Sequence, residues 1–142
     1  MFTNKIVTDM VIHLLNQGEC AILTDDPWRT CAYRSENGLM CAVGCVIPDE
    51  NYDEEFDADP DIDFALMSAI DGKYRVDPDS EEDTEFLRKC QAYLHDNHDS
   101  VEEPNEFRRR VLSGIEDLQG HYPKLRPNMK RIRAEGTMPE TA

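Results

Sequence analysis

The chain has 142 residues, 30 of them acidic and 15 basic, a net charge of −15 and 39% hydrophobic residues. That length suits one domain with a core large enough to hold without staples. The charge argues against a body that binds the phosphate backbone directly, which rewards Lys and Arg. No stretch approaches the run of about 18 apolar residues that a membrane span needs.

The N-terminal segment MFTNKIVTDMVIHLLNQG lacks a signal-peptide pattern. Five cysteines without a secretory signal point to a reducing, cytoplasmic compartment with free thiols or a metal. Charge is uneven along the chain: residues 1–48 carry net −2, residues 49–106 net −17 and residues 107–142 net +4. This predicts a single acidic globular domain over residues 1–120 and a mildly basic, flexible tail over 121–142.

In chain order, Ile6, Val7, Met10, Val11, Leu14 and Leu15 recur at helical spacing and predict a helix over 3–17, with Thr3 as N-cap and Gly18 as the stop. Ala21-Ile22-Leu23 suits a short strand, Thr24-Asp25-Asp26-Pro27 a turn, and Trp28, the only Trp, a packing role. Thr30 to Arg34 suits a second short strand. Asn37-Gly38 supplies a turn and Leu39 to Ile47 an apolar run that Pro48 ends, so a β-hairpin is the first reading of residues 30–47. Residues 39–45 fit a buried helical turn as well, since length does not arbitrate.

From Asp49 to Asp63 there are nine acidic residues and no basic one, a solvated loop that Tyr52 and Phe56 anchor. Phe64 to Ile70 predicts a short apolar helix ended by Asp71-Gly72. Residues 80–96 predict a strong helix capped by Ser80 or Asp79, with acidic side chains in the first turns where the dipole favours them. Pro104 suits the first position of another helix, which Gly120 ends. The expected fold is therefore α+β: a mainly helical single domain with a small hairpin or short sheet near residues 30–47.

Cys31, Cys41 and Cys45 are candidate zinc ligands, because Cys41-x3-Cys45 has knuckle spacing and a hairpin brings Cys31 close. Cys20, His95 or His98 would supply a fourth ligand. Against this stands the behaviour of free Cys as a small buried hydrophobe, which the Ala, Val and Ile neighbours favour. No cofactor is the first expectation and zinc the alternative. Two aspartate ladders, from Asp57 and from Asp77, begin like EF-hand loops. They lack the Gly at the sixth position and the Glu at the twelfth. His95 and His98 would share a helix face, with no nucleophile beside them in a known arrangement. The chain has no P-loop, Rossmann glycine pattern, zincin helix or nucleophile elbow, so no catalytic residue is assigned.

Cys31-x-Tyr33-Arg34, followed by Gly38-Leu39-x-Cys41-Ala42-Val43-Gly44-Cys45-x-Ile47-Pro48-Asp49-x-x-Tyr52-Asp53, resembles a signature of small phage, prophage and bacterial proteins. Phe86-Leu87, Gln91 and His95-Asp96 resemble its second block. The resemblance spans roughly residues 30–98. It implies a phage or mobile-element setting, with the host cytoplasm as the compartment, and no mechanism.

The functional expectation is an acidic, non-enzymatic protein acting on a basic host protein. Asp49, Glu50, Asp53, Glu54, Glu55, Asp57, Asp59, Asp61 and Asp63 would form the contact surface. Nucleic-acid mimicry or inhibition of a host or defence factor falls within it. Direct nucleic-acid contact is left to the tail, where Lys130, Arg131 and Arg133 cluster. The alternative is a small zinc module on Cys31, Cys41 and Cys45.

Overall fold

The computed structural model describes residues 3–22, 30–58, 61–71 and 73–140. Among the described residues there are six α-helices: α1 Thr3–Gln17, α2 Glu55–Ala58, α3 Phe64–Ile70, α4 Glu81–Leu94, α5 Pro104–His121 and α6 Met129–Glu135. Short 3-10 turns at Gly44–Val46, Asp49–Asn51 and Asp96–His98 link them. The central element is α1, which packs against α4, α5, α6 and the Gly44–Val46 turn. The sequence explains its place, because Ile6, Val7, Met10, Val11, Leu14 and Leu15 are all fully buried.

The helix ends follow local chemistry. Thr3 is already helical, so the N-cap position of α1 falls outside the described residues. Gly18 adopts φ 77° and its N–H reaches the Leu14 carbonyl at 2.9 Å, the expected stop. Arg108 Nε then donates to the Leu15 carbonyl at 2.8 Å, satisfying an acceptor that the end of α1 leaves open. Asp63 caps α3 through the Leu66 N–H, and Ser80 caps α4 through the Asp83 N–H. Helix α5 begins at Pro104 as expected but runs through Gly120 to His121.

The expected hairpin is not there. Among the described residues there is no strand, only isolated bridges between Ile22 and Cys31 and between Arg34 and Met40. The α+β assignment is corrected to a helical fold. Asn37-Gly38 does turn the chain, with Gly38 at φ 85°. Two backbone bonds cross this turn, from the Ser35 N–H to the Leu39 carbonyl at 2.9 Å and from the Cys41 N–H to the Tyr33 carbonyl at 3.2 Å, and beyond them side chains take the groups that a longer ladder would have used. Gln17 accepts from the Met40 N–H at 2.8 Å and donates to the Met40 carbonyl at 2.9 Å. Asp57 accepts from the Tyr33 N–H at 2.7 Å and the Arg34 N–H at 3.3 Å. Gln91 accepts from the Val43 N–H at 2.9 Å. With those groups satisfied, the second arm coils: Cys45 N–H reaches the Cys41 carbonyl and Val46 N–H the Val43 carbonyl. The helical-turn reading of this run is the one the fold adopts.

The C-terminal segment, expected as a flexible tail, is docked. Ile132 of α6 is fully buried and Leu125 is 3% exposed, both within the main core. Asn128 caps α6 through the Arg131 N–H, and Asn128 N–H donates to the Thr8 hydroxyl on α1. Trp28, the turn at residues 24–27, Asp59 and Gly72 lie outside the described residues.

Candidate functional site

The described residues bring three metal-type donors together once. Cys31, His95 and Asp96 place one ligand atom each within 4.8 Å of one another. They meet because α4 stops at Leu94. His95 breaks helical geometry at φ −132° and ψ −66°, and a 3-10 turn follows. The expected shared helix face of His95 and His98 therefore does not form. A cleft of about 210 Å³ opens beside the cluster, lined among others by Cys31, Tyr33, Asp61, Arg88 and Asp96.

Hydrogen bonds define what this cluster can do. Ala21 N–H donates to His95 Nε2 at 2.9 Å. Nε2 therefore carries the lone pair and Nδ1 the proton. Nδ1–H donates to Asp96 Oδ1 at 2.8 Å, and Gln91 Nε2 donates to the same oxygen at 2.7 Å. The Cys31 sulfur lies within 4.8 Å of a carboxylate oxygen of Asp96. Cys20 closes the loop by donating its thiol to the His95 carbonyl at 3.4 Å.

This arrangement opposes both chemistries that the donor set suggests. A metal-bound neutral histidine offers one lone pair and donates from its other nitrogen. Here Nδ1 is protonated toward the cluster, and Nε2 faces a backbone donor. Nucleophilic catalysis needs the thiol against the basic ring nitrogen. Cys31 instead meets Asp96, and burial together with that carboxylate pushes its thiol well above the usual cysteine range. The cluster works as a clasp. It ties residues 20–22 and 31–32, themselves joined by the Ala32 N–H to Ala21 carbonyl bond at 2.9 Å, to the end of α4.

The structure does not bring the other two proposed thiol ligands to Cys31. Cys41 is fully buried, and its sulfur accepts the Gly44 N–H at 3.2 Å. Cys45 donates to the Ala42 carbonyl at 3.1 Å, and burial pushes its thiol up to about 12. Both pack as small apolar side chains. The aspartate ladders do not converge either. Asp63 caps α3, while Asp77 accepts the Asp79 N–H and Asp83 accepts the Asp77 N–H.

The acidic segment divides into framework and free surface. Asp57 is framework, accepting two backbone N–H groups and the Tyr52 hydroxyl at 2.5 Å. Arg34 is framework too. Its guanidinium pairs with Asp49 at 2.8 Å, donates to the Ile47 carbonyl at 2.6 Å and lies 4.7 Å from the Tyr52 ring centroid. Asp53 accepts the Glu55 N–H, and Asp61 lies 3.7 Å from Arg88. Glu50, Glu54 and Glu55 are exposed and enter none of the ion pairs formed among the described residues. Sequence reasoning missed the roles of Gln17, Gln91 and Asp57. Only the pairing of Gln91 with His95-Asp96 in the quoted pattern pointed at one of them.

Two further histidines make the fold sensitive to acid. His98 donates from Nε2 to the Tyr93 carbonyl at 2.9 Å, and its Nδ1 is buried without a partner. Burial holds His98 below its ordinary value, with Arg110 adding to the effect. Burial also lowers His13, with His95 adding to it. An unfolded chain takes up protons that these groups refuse once pH falls below about 6.5. Their contribution is complete above that pH and is lost as pH falls toward the folded-state values. Urea melts from about pH 7.5 to about pH 5.5 should show a falling midpoint, and His98→Gln should flatten the fall. A flat wild-type profile would contradict this account.

No helix among the described residues is long and apolar enough to cross a membrane. Comparison with protein-family models, with curated proteins and with solved structures finds no match to this chain.

Proposed function

We propose that the chain is a non-enzymatic binding protein that docks its acidic surface, between Asp49 and Asp63 and over the start of α4, on a basic protein surface. The carrying observation is the free set Glu50, Glu54 and Glu55, exposed on backbone that Asp57, Arg34 and Tyr52 hold in place. Carboxylates on a pre-ordered backbone bind with little further ordering cost and steer a basic partner by charge. The basic side chains nearby do little to offset them. Arg34 is committed to Asp49, Arg88 to Asp61, Glu81 and Glu85, and Lys89 to Glu85. The resemblance to phage and prophage proteins supports a host protein as partner, including one whose nucleic-acid groove the acidic surface would fill.

A triple substitution of Glu50, Glu54 and Glu55 to Gln tests this. With a basic host protein recovered at low salt, the variant should associate at least about tenfold more slowly than wild type. Wild-type association should also slow steeply as salt rises. Helical circular dichroism should stay unchanged. Binding that ignores both salt and the triple substitution would sink the reading.

A further inference from the structure

We infer that the cleft between the start of α1 and the segment following α5 binds a small apolar carboxylate, with Lys124 at its mouth meeting the acid group. The cleft measures about 410 Å³, within the range of small-ligand sites. Its floor is apolar. Phe86 and Leu125 are each 3% exposed, and Tyr122 sets its ring edge-on to Phe86 at 5.0 Å. Pro123 continues the wall. An apolar tail entering here leaves water for a ready-made apolar surface.

Charge selects the head group. In a chain of net −15, no Asp or Glu lines this cleft among the described residues. Two other clefts among the described residues differ: one carries Asp61 and Asp96, the other Glu19, Asp99 and Glu102. Lys124 is exposed and enters none of the ion pairs formed among the described residues. Thr3 and Asn4 form another edge, at the positive end of a 15-residue helix with no acidic residue in its first turn. The nearby ring of His121 is turned to Tyr93, whose hydroxyl lies 2.9 Å from His121 Nε2. Among the described residues Lys124 is the one Lys or Arg that lines the cleft, and the neighbouring Arg126 guanidinium is occupied by the Pro123 and Leu125 carbonyls at 2.7 and 2.8 Å. An apolar cation would meet Lys124 unfavourably, and a neutral alcohol would forgo its attraction.

This inference is independent of the acidic-surface reading. It is tested by calorimetric titration of the full-length chain with decanoate, kept below its micellar concentration, and with decanol as the neutral probe. The expected result is saturable one-to-one binding of decanoate. Decanol should bind at least about tenfold more weakly, and Lys124→Glu should weaken decanoate by a similar factor while leaving the melting curve unchanged. Absent saturable binding, equal affinity for both probes, or an unaffected Lys124→Glu variant would each overturn the inference. Decanoate binding seen only in Phe2→Ala would assign the cleft to the chain's own N-terminus. Dimerisation that blocks decanoate would assign it to a second copy. Either outcome also overturns the carboxylate site.

Discussion

Gly44→Ala is expected to leave the chain unable to reach its native state. A Cβ built on Gly44 would sit 1.9 Å from the Tyr33 carbonyl oxygen and 2.7 Å from its carbon. Both are backbone atoms, and the Tyr33 N–H is itself held by Asp57. Relief would require moving the Gly44–Val46 turn off residues 33–34, and that turn also packs on α1. The loss should exceed about 4 kcal/mol, a large share of a domain's whole stability. Gly114→Ala should act likewise, since its Cβ would lie 2.3 Å from the Tyr93 carbonyl oxygen where α5 crosses α4. Gly120 provides the control. Nothing lies within 4 Å of its Cβ position, so Gly120→Ala should gain up to about 1 kcal/mol from helix propensity. Urea unfolding followed by circular dichroism reads all three. A cooperative, near-wild-type melt of Gly44→Ala would refute the close approach.

His95→Ala should cost about 3–4 kcal/mol. The imidazole is fully buried, so truncation opens a cavity. It also leaves the Ala21 N–H without its acceptor and removes one donor from Asp96. Asp96→Asn should cost less, because it keeps the shape and an Oδ1 acceptor for both His95 and Gln91. Hydrogen exchange gives the sharper readout. In His95→Ala the Ala21 and Ala32 amides should lose protection before those in the middle of α5, because the clasp opens locally. Equal loss of protection everywhere would mean that the clasp has no local role.

These two sites show how far the sequence could be read. The helices α1, α3, α4 and α5 were legible because apolar periodicity and caps are local, and α3 matches its expected bounds. Helix α6 was not, because its seven residues, Met129–Glu135, carry only Met129 and Ile132 as large apolar side chains. Its stability comes from α1, distant in sequence. The hairpin was misread for a related reason. Strand-like residues were present, but their hydrogen-bond partners proved to be Gln17, Asp57 and Gln91, which no local pattern nominates. The nine carboxylates read as one solvated surface were nearly uniform in sequence, whereas folding sorts Asp57 into the framework and leaves Glu50, Glu54 and Glu55 exposed. The zinc reading of Cys31, Cys41 and Cys45 leans on knuckle spacing and on a hairpin, and without the hairpin Cys31 meets His95 and Asp96 instead of the other two thiols.

The packing of α6 on α1 also sets the order in which the protein is completed during synthesis. Helix α1 leaves the ribosome before α6 and presents six fully buried positions, and part of their cover is Ile132. Until that residue emerges, the nascent chain keeps an uncovered apolar stripe. Helices α4 and α5 can pair early, since a short connection separates them. Closure of this core waits for α6, so a chain stalled before residue 129 should be a client for chaperones rather than a smaller folded protein.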